Sequence, residues 1–393
     1  MHDLAFPLLV ALILVALAFD FLNGLHDAAN SIATVVATRL LSPVMAVGFA
    51  AFFNFGAYFL ALQWPQLHKV ADTIGKGLID KDLVTPAVVF GALVGAMFWN
   101  VVTWVKGIPS SSSHALVGGL IGAGGAHAGI AGIQWTGLNK TLIAIVLSPT
   151  LGLVLTMAIM LATSWMGVRA SARGAEQAFR GLHLVSAGAY SLGHGLNDAQ
   201  KTMGIITVLL YSTGYLHGDF QVPHWVALSC YVAIGLGTLT GGWRIIETMG
   251  TRITKLNQHQ GFSASAGGSV MLFAASYLGI PVSTTHTITG CVIGAGAARR
   301  ASAVRWGVAR NVMVAWIITI PASAIVAALF YYLISGYAAR ALLAVAIIAL
   351  FGFATAAWRE LKIQRQANGK FGAWLAVLGF LVAGAILTYG LFS

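Results

Sequence analysis

Two aspartates stand where a carboxylate is costly. Asp27 and Asp198 each lie inside a long apolar stretch, and an acidic side chain in hydrocarbon costs at least about 2.5 kcal/mol on insertion scales. Each follows a glycine, Gly24 or Gly195, that can break a helix and free backbone groups to face a cavity. An aspartate there can also simply cap the second half-helix, a role that coincides easily with ion binding. Asn23, His26, Asn30 and Ser31 extend the polar stripe around Asp27, and Asn197, Lys201 and Thr202 extend it around Asp198. Lys201, three residues beyond Asp198, shares its helical face. It can pair with that carboxylate, contact an anion or snorkel toward the surface.

Two further segments suit an anion. Gly107-Ile108-Pro109 precedes Ser110, Ser111, Ser112, Ser113 and His114, and Gly279-Ile280-Pro281-Val282 precedes Ser283, Thr284, Thr285 and His286. Proline stops one element and the hydroxyl residues open the next helix, whose unpaired N–H groups and dipole attract negative charge. The hydroxyls add donors without adding charge, which fits the tetrahedron of a phosphate. His114 and His286 either donate to the anion or bond a neighbouring carbonyl. Two ionised aspartates beside a phosphate dianion repel it in a low-dielectric site. Binding therefore requires protons on the carboxylates or a cation between them and the anion, so coupling to an ion gradient follows. Asp27, Asp198, Asn23, His26 and Asn197 are the ion-coupling candidates; the remaining polar residues of both motifs are the substrate-binding ones.

The elements that carry these residues come in duplicate. Gly24-Leu25-His26-Asp27-Ala28 reads against Gly195-Leu196-Asn197-Asp198-Ala199 at an offset of 171 (from 27 to 198). The Pro-Ser segments match at 172 (from 114 to 286), as do Gly118 with Gly290 and Pro149 with Pro321. Charge sets the orientation of the copies. The linker 299–310 holds Arg299, Arg300, Arg305 and Arg310, whereas its partner 127–139 holds no Lys or Arg. Equivalent loops of opposite bias face opposite sides of a membrane, which makes the pair an inverted-topology repeat of the kind found in secondary transporters.

Composition agrees. Of 393 residues, 58% are hydrophobic and 8% charged, against about a quarter charged in a soluble domain. Apolar runs repeatedly reach the roughly 20 residues that span a bilayer. The net charge of +11 sits in short clusters between these runs, a topology signal rather than a nucleic-acid footprint. Cys230 and Cys291 have no metal-type spacing and read as packing residues. Residues 4–18 imitate a signal-peptide core but lack its basic flank. Since the repeat requires them, they belong to the first span.

The expected fold is an all-α polytopic membrane protein of about 12 transmembrane segments, in two inverted repeats with discontinuous helices or re-entrant hairpins. Repeat one covers 1–165, with spans near 4–38 (interrupted at the Asp motif), 44–62, 84–105, 111–127 and 139–165. A cytoplasmic linker covers 166–181. Repeat two covers 182–335, with spans near 182–210, 224–243, 262–278, 285–298 and 311–335. Residues 336–393 hold two more spans, near 340–358 and 371–392.

These motifs resemble the inorganic phosphate transporter (PiT) family over nearly the whole chain. The first signature is Asn23-Gly24-Leu25-His26-Asp27-Ala28-Ala29-Asn30-Ser31; the second is Gly195-Leu196-Asn197-Asp198-Ala199; the two Gly-Ile-Pro-Ser/Thr segments complete it. The resemblance implies phosphate uptake by an alternating-access symporter in a bacterial inner membrane, with a scaffold that dimerises. It carries roles over to Asp27, Asn30, Ser111 to Ser113, Asp198, and Ser283 to Thr285. Sodium-coupled members have a glutamate soon after each Asp motif, where this chain has Asn54 and Ser265. With His26 and Lys201, these departures resemble the bacterial low-affinity branch, which is proton-coupled and takes metal–phosphate complexes. Sodium coupling, sulfate as the substrate, and an anion channel lined by helix ends and hydroxyls are the alternatives. An enzyme is not expected: Ser113-His114 and Thr285-His286 are badly placed as nucleophile–base pairs, and no Walker loop or metal-ligand spacing is present. No cofactor is implied, and the role of a metal ion stays open.

Overall fold

The structure, a computed structural model, describes residues 6–77, 83–169 and 171–335; the expected spans near 340–358 and 371–392 lie outside the described residues. Helices α1 (Phe6–Ala37), α2 (Pro43–Gln63), the short α3 (Lys69–Gly77), α4 (Pro86–Lys106), α5 (Ser112–Ala128) and α6 (Trp135–Met166) carry the first copy. Helices α7 (Ala172–Ser212), α8 (His224–Thr240), the short α9 (Trp243–Glu247), α10 (Gln258–Leu278), α11 (Thr284–Arg299) and α12 (Trp306–Ser335) carry the second.

Local chemistry sets the ends. Proline sits at the first turn of α2 and α4, and the hydroxyls of Ser42 and Thr85 accept from Met45 N–H and Val88 N–H, filling donors that a helix start leaves unpaired. Asn257 and Gln260 cap each other's backbone at the start of α10, a reciprocal capping box. Helices α4 and α10 both end on a left-handed glycine, Gly107 (φ 65°) and Gly279 (φ 69°), where a side chain would clash. Pro109 and Pro281 follow, and the chain turns back as α5 and α11.

Duplicated elements pack reciprocally: α1 lies on α8 as α7 lies on α2, α5 on α12 as α11 on α6, and α4 against α5 as α10 against α11. The glycines of the motifs explain the closeness. A Cβ on Gly24 would stand 2.2 Å from Ile234 O, and one on Gly195 2.5 Å from Asn54 O. On Gly118 it would meet Ile320 O at 2.4 Å, and on Gly290 it would meet Pro149 O at 2.1 Å. Gly290 thus meets the repeat proline Pro149, and Gly118 meets Ile320 next to Pro321.

Two expectations are corrected. Helices α1 and α7 run unbroken through Gly24 and Gly195, so neither Asp27 nor Asp198 caps a half-helix. The glycines serve close backbone packing, and the breaks lie at the two Pro-Ser segments instead. The span expected near 182–210 also starts earlier, since residues 172–181 of the linker already belong to α7. Ser171 accepts from Gly174 N–H and starts α7 at Ala172, because a basic, hydrated segment of good helix formers extends a helix readily.

Five described helices (α1, α2, α4, α6 and α12) are long and apolar enough to cross a membrane, and α8 with Trp243–Arg252, which includes α9, counts as a sixth if this pair, bent by 69°, is taken as one span. Leu161, Ile317 and Leu329 point outward from α6 and α12, as lipid-facing side chains do. The remaining long helices are glycine- and hydroxyl-rich because they line the interior. The chain is a multi-pass membrane protein.

Candidate functional site

The two Pro-Ser turns meet tip to tip between α1 and α7. Ser113 Oγ donates to Val282 O at 3.4 Å, joining the tips directly. Ser111 and Ser283 open α5 and α11 as caps, their hydroxyls accepting from His114 N–H and His286 N–H at 3.2 Å each. Of the residues after them, Ser112 on one tip and Thr284 and Thr285 on the other turn their hydroxyls toward the aspartates, while Ser113 faces Val282 O and Lys201.

Both tips hold Asp27. Ser112 Oγ donates to Asp27 Oδ2 at 2.8 Å and Thr285 Oγ1 to Oδ1 at 3.3 Å, while His26 Nδ1 lies 2.9 Å from Oδ1. Ser112 also lies 2.6 Å from Asn23 Oδ1. Asn30 bridges α1 to the second tip, its Nδ2 donating to Thr285 Oγ1 at 2.9 Å and Thr284 Oγ1 at 3.2 Å. Asp198 receives Thr284 Oγ1 at 3.2 Å and pairs with Lys201 Nζ. Lys201 also donates to Ser113 Oγ at 2.5 Å and Val282 O at 2.9 Å. Its ammonium is therefore the hinge between both tips and Asp198, and it does not snorkel. All of these side chains are buried.

The other candidates sit further out. Ser110 donates to Thr103 Oγ1 at 2.9 Å, and Thr103 lies 3.1 Å from His26 Nε2, so Ser110 backs His26 and does not reach Asp27. Asn197 donates weakly to Ser276 Oγ and Ile280 O, at 3.5 and 3.4 Å. Ser31 Oγ and Thr202 Oγ1 bond no protein group. His114 and His286 meet each other edge to face, ring centres 4.2 Å apart, and His286 stacks on Trp316 at 3.7 Å. His114 has no hydrogen-bond partner, and His286 lies 3.4 Å from Ile145 O. Two positions beyond Ser112 or Thr284 a helix has turned by about 200°, which carries both imidazoles away from the carboxylates. Trp316 Nε1 donates to Pro109 O at 3.1 Å, so the histidine pair and this indole brace the tips from behind.

Two titratable residues were passed over in the sequence. His194 lies 3.3 Å from Asp198 Oδ2, without hydrogen-bond geometry at Nε2, and its Nδ1 is 3.1 Å from Asn54 Oδ1. Its spacing of four from Asp198 was the available signal. Asp27, His194 and Asp198 offer ligand atoms that all lie within 4.8 Å of one another. Asp20, two helical turns before Asp27, is fully buried and neither of its oxygens bonds a protein group. The cost of a carboxylate in an apolar run marks Asp20 as it marks Asp27.

Residues 23–327 match the Phosphate transporter family. The chain is 63% identical over 329 residues to a protein of Rhizobium meliloti (strain 1021) titled "Probable low-affinity inorganic phosphate transporter", covering 84% of this chain and 97% of the relative. A protein of the same title from Bacillus subtilis (strain 168) is 39% identical over 336 residues, covering 85% and 99%. Among solved structures, "The sodium-dependent phosphate transporter" superimposes with a TM-score of 0.74 at 24% identity, covering 85% of this chain and 100% of that one.

Proposed function

We propose that this chain, which belongs to the phosphate transporter family, imports inorganic phosphate as a secondary active symporter coupled to protons. Transport runs by alternating access between two inverted copies, 1–165 and 182–335, around the paired hairpin tips. Its relatives from Rhizobium meliloti and Bacillus subtilis are bacterial, which supports an inner-membrane location, and the family resemblance supports a homodimer.

One observation carries the mechanism: Asp27 and Asp198 are both held by hydroxyls from the tips. Phosphate needs those same donors. Each hydroxyl that turns to the anion leaves a carboxylate unpaired in a low-dielectric site, an expensive state unless a proton or cation arrives with it. Anion and cation then bind together or not at all, which is symport. Asn30, Ser112, Ser113, Thr284 and Thr285 supply neutral donors, and Lys201 supplies the one cationic donor among the described site residues. A divalent ion travelling with phosphate finds oxygen and nitrogen ligands in Asp27, His194 and Asp198, which supports a metal–phosphate complex as a form of the substrate.

Sodium coupling has one observation on its side, the sodium-dependent solved relative. Against it, Asn54 and Ser265 are neutral and already engaged, Asn54 Nδ2 with Thr238 at 2.8 Å and Ser265 with Thr34 at 3.0 Å. Proteoliposomes carrying the full chain decide the matter. Uphill accumulation of labelled phosphate is expected under an inward pH gradient, insensitive to sodium and resistant to a large excess of sulfate. Accumulation under a sodium gradient alone would reject proton coupling, and strong sulfate competition would reject the substrate.

A further inference from the structure

Two charged residues break the internal repeat, and they lie near enough to interact electrostatically. Lys201 stands where the first copy has Asn30, and Asp20 stands where the second copy has Ser191. Ser191 is an ordinary buried hydroxyl bonded to Ala187 O. Asp20 is a fully buried carboxylate of α1, pointed at α7 and α8, with both oxygens lacking a protein hydrogen bond. The polar side chains beside it are Thr202 on α7 and Cys230 on α8, and the Thr202 hydroxyl is itself unpartnered. The titratable and charged groups facing it are Asp198 and Lys201 from α7 and Cys230 and Tyr231 from α8.

Asp27 and Asp198 are not in this condition. Asp27 has His26, Ser112 and Thr285, and Asp198 has Lys201 and Thr284. An acid–base pair or two hydroxyl donors compensate an ionised carboxylate, whereas Asp20 has beside it only the Thr202 hydroxyl and the Cys230 thiol, neither in hydrogen-bond geometry with it.

We propose that Asp20, with Thr202, is a proton-binding site of the transporter separate from the phosphate pocket. This rests on proton coupling as proposed above. Facing outward, the Asp20 carboxylate takes a proton from water; facing inward, it returns the same proton to water, and no electrons move. Lys201 transmits the event to phosphate. With Asp20 ionised, the ammonium answers two carboxylates, Asp20 and Asp198, and the wall of the pocket is net negative. With Asp20 protonated, Lys201 and Asp198 form a neutral pair and the wall repels phosphate less. The linkage is reciprocal, so bound phosphate holds the proton on Asp20 as firmly as the proton favours phosphate.

The test uses Asp20→Asn, which fixes the protonated shape and charge, and Asp20→Glu, which restores a titratable acid. Both full-length proteins are reconstituted beside wild type, with elution profile and phosphate-dependent thermal stabilisation as checks on folding. Phosphate–phosphate exchange is expected to persist in Asp20→Asn and to lose its pH dependence. Accumulation driven by a pH gradient should fall at least tenfold, and Asp20→Glu should recover it. Undiminished proton-driven accumulation in Asp20→Asn overturns the assignment. So does a folded Asp20→Asn protein that has lost exchange together with accumulation, since Asp20 would then serve the phosphate site or the fold. Wild-type accumulation under sodium alone would instead sink proton coupling itself, a result distinct from either.

Discussion

Asp27, Asp198 and Lys201 have their partners among residues that also supply the proposed phosphate donors, so each substitution has a graded outcome. Asp27→Asn and Asp198→Asn remove the charge that hydroxyls and cations now answer. Each should lower gradient-driven uptake at least tenfold, about 1.4 kcal/mol in the rate-limiting step; retained coupling in both variants would reject the role. Lys201→Met leaves Asp198 buried without its cation, and breaking a buried pair costs about 3–5 kcal/mol. Its thermal stability should therefore fall with its uptake, and the double variant Lys201→Met with Asp198→Asn should regain stability without uptake. His114→Phe and His286→Phe should keep uptake within about threefold, about 0.65 kcal/mol, because these rings brace the tips and do not face the carboxylates. Removing divalent cations with a chelator should slow uptake if metal–phosphate is carried, and His194→Ala should then abolish that metal dependence. The central carboxylates and hydroxyls were legible in sequence because they recur in both copies of the repeat, whereas Asp20, equally a charge in an apolar run, has Ser191 as its counterpart and was passed over. The fate of His114 and His286 was not legible, since a difference of one or two positions on a helix decides which way a ring points.

At the level of elements, the repeat predicts contacts as well as motifs. Gly24 with Gly195 and Gly118 with Gly290 hold their positions because a neighbouring backbone occupies the space of a Cβ. Most helix limits could be read within a few residues, as for α2 at Pro43–Gln63, but α7 begins at Ala172, ten residues before the expected 182. The same glycines misled the expectation of broken helices at the Asp motifs, because glycine marks both a break and a close approach. Only packing partners distinguish the two. Substitution separates them as well. Gly24→Val and Gly195→Val would drive α1 from α8 and α7 from α2, at roughly 1–3 kcal/mol or more for overpacking. Lower melting temperatures in detergent are expected, with proportionate loss of uptake. A residue that merely broke a helix would tolerate alanine, so unchanged stability in Gly24→Ala, whose Cβ stands 2.2 Å from Ile234 O, would contradict the packing role.

For the whole molecule, the decisive quantity is which way each copy faces. The loop after α5 and the loop after α11 are equivalent in the repeat, yet Arg299, Arg300, Arg305 and Arg310 crowd the second and nothing basic lies in 127–139. The positive-inside rule underlies the proposed inverted arrangement, in which these loops lie on opposite sides and the two hairpin tips would enter from opposite faces to meet around Asp27 and Asp198. A thin barrier of paired hydroxyls at the centre, with each tip able to withdraw toward its own side, is what alternating access needs. The orientation can be read directly. Ile130 and Ser302 are repeat equivalents and both are exposed, while the native Cys230 and Cys291 are fully buried. Ile130→Cys should react with a membrane-impermeant maleimide from the outside of intact cells, and Ser302→Cys only after the cytoplasmic face is opened. Labelling of both from one side would make the copies parallel. Each tip would then face the same compartment, the site could not be exposed alternately by exchanging the roles of the two halves, and symport at Asp27 and Asp198 would need a different motion.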